Sequence, residues 1–218
     1  MPGSMASTAS FNTRAALRTL RKDPVMARVI ERVGPFRLKP NGLPSAFDAL
    51  VRAITHQQLN GTAAQTILGR LCALFPDPAR LDPAILVQLP EEKLRGAGLS
   101  RAKVAAVRDV AAKTLDGTIP GPEALSGMSD EAIIERLTEA RGVGRWTVEM
   151  LLMFRLGRPD VLPVDDYGIR KGFARAYRKR ALPKPKQLAK FGERWSPHRT
   201  AASWYLWRVL ELPPEKAR

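Results

Sequence analysis

Cysteine is almost absent: among 218 residues there is one, Cys72, and the histidines number only two, His56 and His198. A lone thiol excludes an intrachain disulfide, a zinc site built on cysteines and an iron–sulfur cluster. Cys72 sits in the apolar run from Ile67 to Phe75, where a buried, inert thiol is expected. Two histidines without His-Glu-x-x-His spacing make no typical zinc site, so no metal is expected. Missing too is any apolar run of the roughly 18 residues that span a bilayer. A basic segment followed by an apolar one at the N-terminus is also lacking, so the expectation is no membrane contact, no secretion and a cytoplasmic location. The alternation of Val, Ile and Thr that marks strands is not found either. Whatever chemistry the chain performs must rest on carboxylates.

What is abundant is positive charge. Lys and Arg total 36 against 21 Asp and Glu, a net +15 spread along the chain rather than gathered in a tail. A polyanionic partner, nucleic acid above all, is the natural reading, with a merely solvated basic surface as the bland alternative. A hydrophobic content of 44% suits an ordinary globular protein. Residues 1–12 read as an expression remnant, Met1 to Ser4 ahead of Met5, followed by a small, polar, disordered tail.

Helical spacing dominates the rest. Phe47, Leu50, Val51, Ile54 and Leu59 lie on one face, and Ala63, Ile67, Leu68, Leu71 and Leu74 resume the pattern beyond Gly61, so two helices joined by a polar bend from His56 to Thr62 are predicted. Proline-containing breaks separate further amphipathic segments. The fold class is all-α. A basic stretch from Arg170 to Lys190 is interrupted by Pro183 and Pro185.

Two segments carry the chemistry. Leu137 to Phe154 reads as helix, turn, helix, with Gly142-Val143-Gly144 at the turn. Glycines there allow positive φ and close backbone approach, the unsatisfied N–H groups of the second helix point outward, and Arg141 and Arg145 flank them. The arrangement suits a phosphate, although a tight turn between packed helices would also want glycine. Further on, Pro159 and Pro163 hold an extended crossover that ends in Asp165-Asp166 at a helix start. Either aspartate could cap that helix while the other faces elsewhere.

These segments, with Leu50 to Leu59, Gly98 to Lys103, Gly142 to Thr147, Asp165-Asp166-Tyr167 and Trp195 to Arg199 with Trp207 behind, resemble the helix-hairpin-helix (HhH-GPD) DNA glycosylase superfamily, in its 3-methyladenine DNA glycosylase II branch. The resemblance spans roughly Ser45 to Leu210 and points to a short form without that branch's N-terminal sheet domain. It implies two helical subdomains, 46–162 with the hairpin at 137–154, and 13–45 plus 163–218, with an active-site cleft between them. It implies a glycosylase that flips an alkylated base out of double-stranded DNA and hydrolyses the N-glycosidic bond. A monomer is expected, located with the nucleoid in a bacterium or the nucleus in a eukaryote. No cofactor is expected beyond a monovalent cation at the hairpin, which the chemistry would not require.

Carried over by position, the catalytic aspartate falls on Asp166, leaving Asp165 the better candidate for a cap or a DNA-facing residue. Trp146 stands where strand-cleaving relatives have a Schiff-base lysine, which implies a monofunctional enzyme. Gln58 and Leu59 rank equally as the wedge that fills the gap left by the flipped base. Trp146, Tyr167 and Trp207 are the aromatic faces for a cationic base, with Met150 as a softer wall; Trp195 and Trp204 are read as core. Arg95, Gly96, Gly98, Arg101 and Lys103 form a second candidate phosphate contact beside Arg141, Gly142, Gly144 and Arg145. Two alternatives stay open: a glycosylase for uracil, mismatched or oxidised bases, and a non-catalytic DNA-binding module.

Overall fold

Short polar side chains start most of the helices. Asn12, Asp23, Ser45, Asn60, Asp82, Ser100, Ser129 and Asp166 each accept a hydrogen bond from a first-turn backbone N–H, which satisfies donors that a helix start otherwise leaves orphaned. The computed structural model describes residues 11–213, and every regular element among them is helical. The expression remnant expected at the start lies outside the described residues. The tail expected to reach residue 12 does not extend so far: Asn12 caps the first helix and the Phe11 ring packs edge-on against Phe36, centroids 5.4 Å apart.

The chain divides into two units, one of residues 43–151 and one of its N-terminal and C-terminal parts, 1–42 with 152–218. The stretch 152–162, placed by the sequence reading with the central segment, groups with the other unit.

In the discontinuous unit, α1 (Thr13–Leu20) and α2 (Pro24–Val33) pack with three helices from the far end of the chain, α11 (Tyr167–Ala176), α12 (Pro185–Gly192) and α13 (Arg199–Arg208). Leu20, Met26, Ile30, Ile169, Leu188, Trp195, Tyr205 and Leu206 fill the core between them. Tyr177 donates to Asp23 at 2.6 Å, and Tyr205 donates to the Gly34 carbonyl at 3.0 Å. α11 and α13 cross closely at Gly172, where a Cβ would stand 1.9 Å from the Leu206 carbonyl oxygen. Trp195 is core as expected, whereas Trp204 is half-buried.

The central unit is built on α3 (Ala46–His56), α4 (Gly61–Cys72), α5 (Pro83–Gln88), α6 (Glu91–Gly96), α7 (Arg101–Leu115), α8 (Pro122–Gly127), α9 (Asp130–Thr138) and α10 (Arg145–Leu151). α7 lies against both α3 and α5, and its apolar stripe of Val104, Val107, Val110 and Ala111 is buried with Phe47, Leu50, Val51 and Ile54 of α3. Cys72 is buried, as its apolar setting requires. Beyond α10 the helix loosens into a π-helical turn, Leu152–Leu156, of the kind that often marks a functional position. Among the described residues no helix is long and apolar enough to cross a membrane, and no group of three His, Cys, Asp or Glu side chains could hold a metal ion.

Candidate active site

The crossover to Asp166 is pinned before it reaches the carboxylate. Thr200 Oγ1 donates to the Arg158 carbonyl and accepts from Val161 N–H, and Ser203 Oγ donates to the Val161 carbonyl. Asp160 takes both Nε and Nη2 of Arg199, at 2.8 and 2.9 Å, along with Ser196 Oγ at 2.9 Å. Burial works against the Asp160 charge, but the hydrogen bonds from Arg199 and Ser196 outweigh it and hold the group below the usual carboxylate range. A depressed native pKa contributes stability that is present above the unfolded value of about 3.9 and lost as pH falls through the native one. Between about pH 5 and 2, wild-type stability should therefore fall more steeply than that of Asp160→Asn. Superimposable acid limbs in circular-dichroism titrations of the two proteins would refute this.

Asp166 itself caps α11. Its Oδ1 accepts the Ile169 N–H at 2.7 Å and the Trp207 indole N–H at 2.9 Å. The cap was expected more readily of Asp165, which instead is exposed. Backbone geometry decides between them: Asp166 N–H closes a turn onto the Pro163 carbonyl at 3.1 Å, which makes Asp166 the last extended residue before the helix. Both of these bonds orient the carboxylate through Oδ1.

Trp207 reaches that oxygen because Gly168 leaves room. A Cβ at Gly168 would stand 2.9 Å from Trp207 Cδ1 and 3.0 Å from Asp166 Oδ1. Behind it, Phe154 on the π-helical turn stacks on the Trp207 ring with centroids 5.9 Å apart. Tyr167, next to the carboxylate, is 63% exposed, and the Lys171 ammonium lies 5.7 Å from its ring centroid.

The second set of predicted residues lies in the central unit. Gly142 has φ +78°, and a Cβ there would meet Ala106 of α7 at 3.0 Å, so glycine is required both by conformation and by packing. Gly144 differs from the expectation: its φ is not positive, and a Cβ would meet nothing within 4 Å. Its carbonyl opens α10 by accepting from Thr147 N–H at 2.9 Å. The same contrast separates Gly98, at φ +106° and close to Ile67, from Gly96, which ends α6 with space around it.

Several cations expected to face phosphates are turned to protein partners. Arg145 makes a fork to both oxygens of Glu131, at 2.7 and 2.9 Å, and gives its Nε to the buried Glu149 at 3.1 Å. These bonds hold Glu131 below the usual carboxylate range. Arg95 gives Nη1 to the Leu99 carbonyl at 2.7 Å. The Lys103 ammonium donates to the carbonyls of Thr55 and Gln57, at 2.8 Å each, and burial pulls its pKa down. For Lys103 and for the Arg145–Glu131 fork the acceptors come from other parts of the chain and are within reach only in the folded unit, whereas Leu99 O and Glu149 are local partners four residues away. Arg101 and Arg141 are exposed as expected, as are Gln58 and Leu59 on the bend after α3. Trp146 is 47% exposed and Met150 half-buried.

Three contributors went unread. Asp109 of α7 accepts the Arg141 backbone N–H at 2.7 Å and so fixes the hairpin turn; its one sequence signal is the i,i+4 pairing with Lys113. Gln57 donates to the Gly142 carbonyl at 3.0 Å. Phe154 follows the hairpin helix, where a regular helix would have turned it differently.

Residues 51–198 match the HhH-GPD superfamily of base excision DNA repair proteins. DNA-3-methyladenine glycosylase 1 of Schizosaccharomyces pombe is 36% identical over 203 residues, 92% of this chain and 88% of that protein. Among solved structures, the 3-methyladenine DNA glycosylase of Schizosaccharomyces pombe in complex with abasic DNA superposes with a TM-score of 0.83 at 35% identity, covering 93% of this chain and all (100%) of that one. The DNA-3-methyladenine glycosidase of Bacillus halodurans gives 0.81 at 34% identity, over 93% of this chain and 90% of that one. With a match over most of its length and relatives of this identity, the chain belongs to the HhH-GPD superfamily of base excision DNA repair proteins.

Proposed function

We propose that this protein is a monofunctional DNA glycosylase that releases alkylated bases of the 3-methyladenine and 7-methylguanine type from double-stranded DNA, with Asp166 as the carboxylate beside the reacting sugar. The observation that carries the reading is the setting of Asp166: a half-buried carboxylate at the start of α11, anchored through Oδ1 by a backbone N–H and an indole N–H. The names of the relatives, a net charge of +15 and a glycine hairpin flanked by the exposed Arg141 support a DNA substrate.

Alkylation at N3 or N7 of a purine makes the base cationic and a good leaving group, so no acid is needed to protonate it. The C1′–N bond stretches, its electron pair goes to the base, and positive charge develops on the sugar. The Asp166 carboxylate stabilises that charge without reorganising, because the hydrogen bonds to Oδ1 from Ile169 N–H and the Trp207 indole already orient it. Water then adds to C1′ and its proton passes to Asp166 or to solvent. The inventory is base, sugar, water and one carboxylate. Trp146, at the hairpin position where a strand-cleaving enzyme would need an amine, forms no Schiff base.

A base within a duplex must first leave the stack, at a cost of a few kcal/mol. The bend after α3 offers the wedge: Leu59 is an apolar side chain 39% exposed on a short turn, and Gln58 beside it holds φ at 59°. Tyr167, beside Asp166, offers an exposed π face suited to a cationic purine, and Trp207 offers a second within the same unit. The protein acts as a monomer wherever the genome lies.

Duplexes carrying methylated purines, uracil or 8-oxoguanine separate the lesion classes. Release of free 3-methyladenine and 7-methylguanine is expected, with strand breaks only after alkali treatment. Breaks without alkali would overturn the monofunctional assignment; release from the uracil or 8-oxoguanine duplex alone would overturn the lesion class; binding without release of any base would reduce the protein to a DNA-binding module.

A further inference from the structure

We infer that Lys103 is a positioning residue for base flipping: it clamps the bend Gln57–Asn60 in the shape that presents Gln58 and Leu59 to the duplex, and does not itself contact a phosphate. The inference rests on the reading of that bend as the wedge.

α3 ends at His56, so its last carbonyls lack helical partners and carry the negative end of the helix dipole. The Lys103 ammonium answers both needs, with 2.8 Å bonds to Thr55 O, inside the last turn, and to Gln57 O, just beyond it. Two of its three N–H donors are thereby spent inward. The Gln57 side chain then ties the same point to the hairpin by donating to Gly142 O at 3.0 Å. On the far side, Asn60 accepts Ala63 N–H at 2.8 Å and starts α4. Between those pins stand Gln58, in a left-handed conformation that a non-glycine residue adopts only under constraint, and Leu59.

A wedge acts as the base departs, so a bend already fixed loses no conformational freedom at that step, whereas a loose bend must be ordered on every insertion. Lys103 is placed to remove that cost. It stands in the first turn of α7, and α7 also supplies Asp109, which bonds the hairpin at Arg141 N–H. One helix therefore braces both the bend and the hairpin.

The test compares wild type, Lys103→Met, Lys103→Arg and Gln57→Leu on three readouts. The first is single-turnover release of one alkylated base from a fully paired duplex and from a single strand, where no stack closes behind the base. The second is the affinity for undamaged duplex across a salt series. The third is 2-aminopurine fluorescence beside an abasic analogue in a duplex, which reports unstacking without chemistry. For Lys103→Met, release from the paired duplex should fall about 10- to 100-fold, in line with other misplacements remote from the reacting atoms. Release from the single strand should stay within about 2-fold, in contrast to that loss, because the catalytic group is not moved. The salt slope should be unchanged and the fluorescence rise should be reduced. Lys103→Arg should recover part of the loss, and Gln57→Leu should show the same selectivity for paired DNA. Equal losses on both substrates would overturn the inference, as would a salt slope smaller by about 0.9, the signature of a phosphate contact, or fluorescence equal to wild type. If the wild type releases no base from either substrate, the glycosylase reading fails on its own, and the fluorescence comparison still decides for or against the clamp.

Discussion

Asp166→Asn should release alkylated bases at least about 10²- to 10³-fold more slowly than the wild type, the loss typical of removing one preorganised electrostatic group from a reacting centre. The substitution is informative because so little else changes. Asparagine caps a helix about as well as aspartate, so the Ile169 N–H keeps an acceptor, and the amide oxygen can still take the Trp207 indole N–H. What disappears is the negative charge that, on the proposed mechanism, stabilises the developing positive sugar. Affinity for damaged duplex should hold or rise, since a carboxylate near a phosphate backbone opposes binding. Single-turnover base release and fluorescence anisotropy on one duplex measure the two quantities together. Release within about 3-fold of wild type, far short of the loss expected of a preorganised charge, would remove Asp166 from the catalytic role. Asp166→Ala is the poorer probe, because it also discards the cap and with it about 0.5–2 kcal/mol of stability.

The largest loss of stability should come from Gly172→Ala. The glycine lies inside α11 and needs no unusual φ, so alanine would be favoured by intrinsic propensity alone, by up to about 1 kcal/mol. Contact geometry overrides that preference: the new methyl would lie 1.9 Å from Leu206 O and 2.7 Å from Leu206 C, both backbone atoms. Side chains can rotate away but backbone cannot, so α11 and α13 would have to separate. Overpacking of this kind costs about 1–3 kcal/mol or more, and here it also spreads the helices that carry Asp166 and Trp207. Gly192→Ala provides the comparison. Its methyl would approach Leu162 Cδ2 at 2.3 Å, the flexible end of a side chain, and a smaller loss is expected. Denaturant melts of the two variants should rank them in that order; a Gly172→Ala protein as stable as wild type would show that the crossing can open at no cost.

Much of this could be read before any coordinates, and the part that could is local. Helices follow from apolar residues spaced three and four apart, their starts from Ser, Asp and Asn, and their ends from prolines. The bend after α3, the hairpin turn at Gly142 and the helix start at Asp166 are all features of this kind. Partner choice among charged side chains is not. Arg145 is held by Glu131, 14 residues away, Lys103 by carbonyls 46 and 48 residues away, and Arg141 N–H by Asp109, 32 residues away. A sequence shows these cations beside glycine turns, which suggests phosphate, but the competing acceptors enter only with the tertiary fold. The choice between Asp165 and Asp166 as cap fell to a single backbone bond, Asp166 N–H to Pro163 O, that the adjacent pair does not reveal.

The discontinuous unit has a consequence for how the protein is made. Residues 43–151 leave the ribosome as one continuous stretch and can fold as they emerge. α1 and α2 are synthesised before that stretch, yet their core partners are α11 and α13, and the Tyr205 bond to Gly34 spans 171 residues. These helices must therefore wait, apolar faces uncovered, until α13 has been translated. Asp166 is translated before Trp207 and has no indole to hold it until then. A nascent chain stalled short of α13 would carry a finished hairpin and an Asp166 without its indole partner: on the proposed mechanism, able to hold DNA before it is able to cut a base from it.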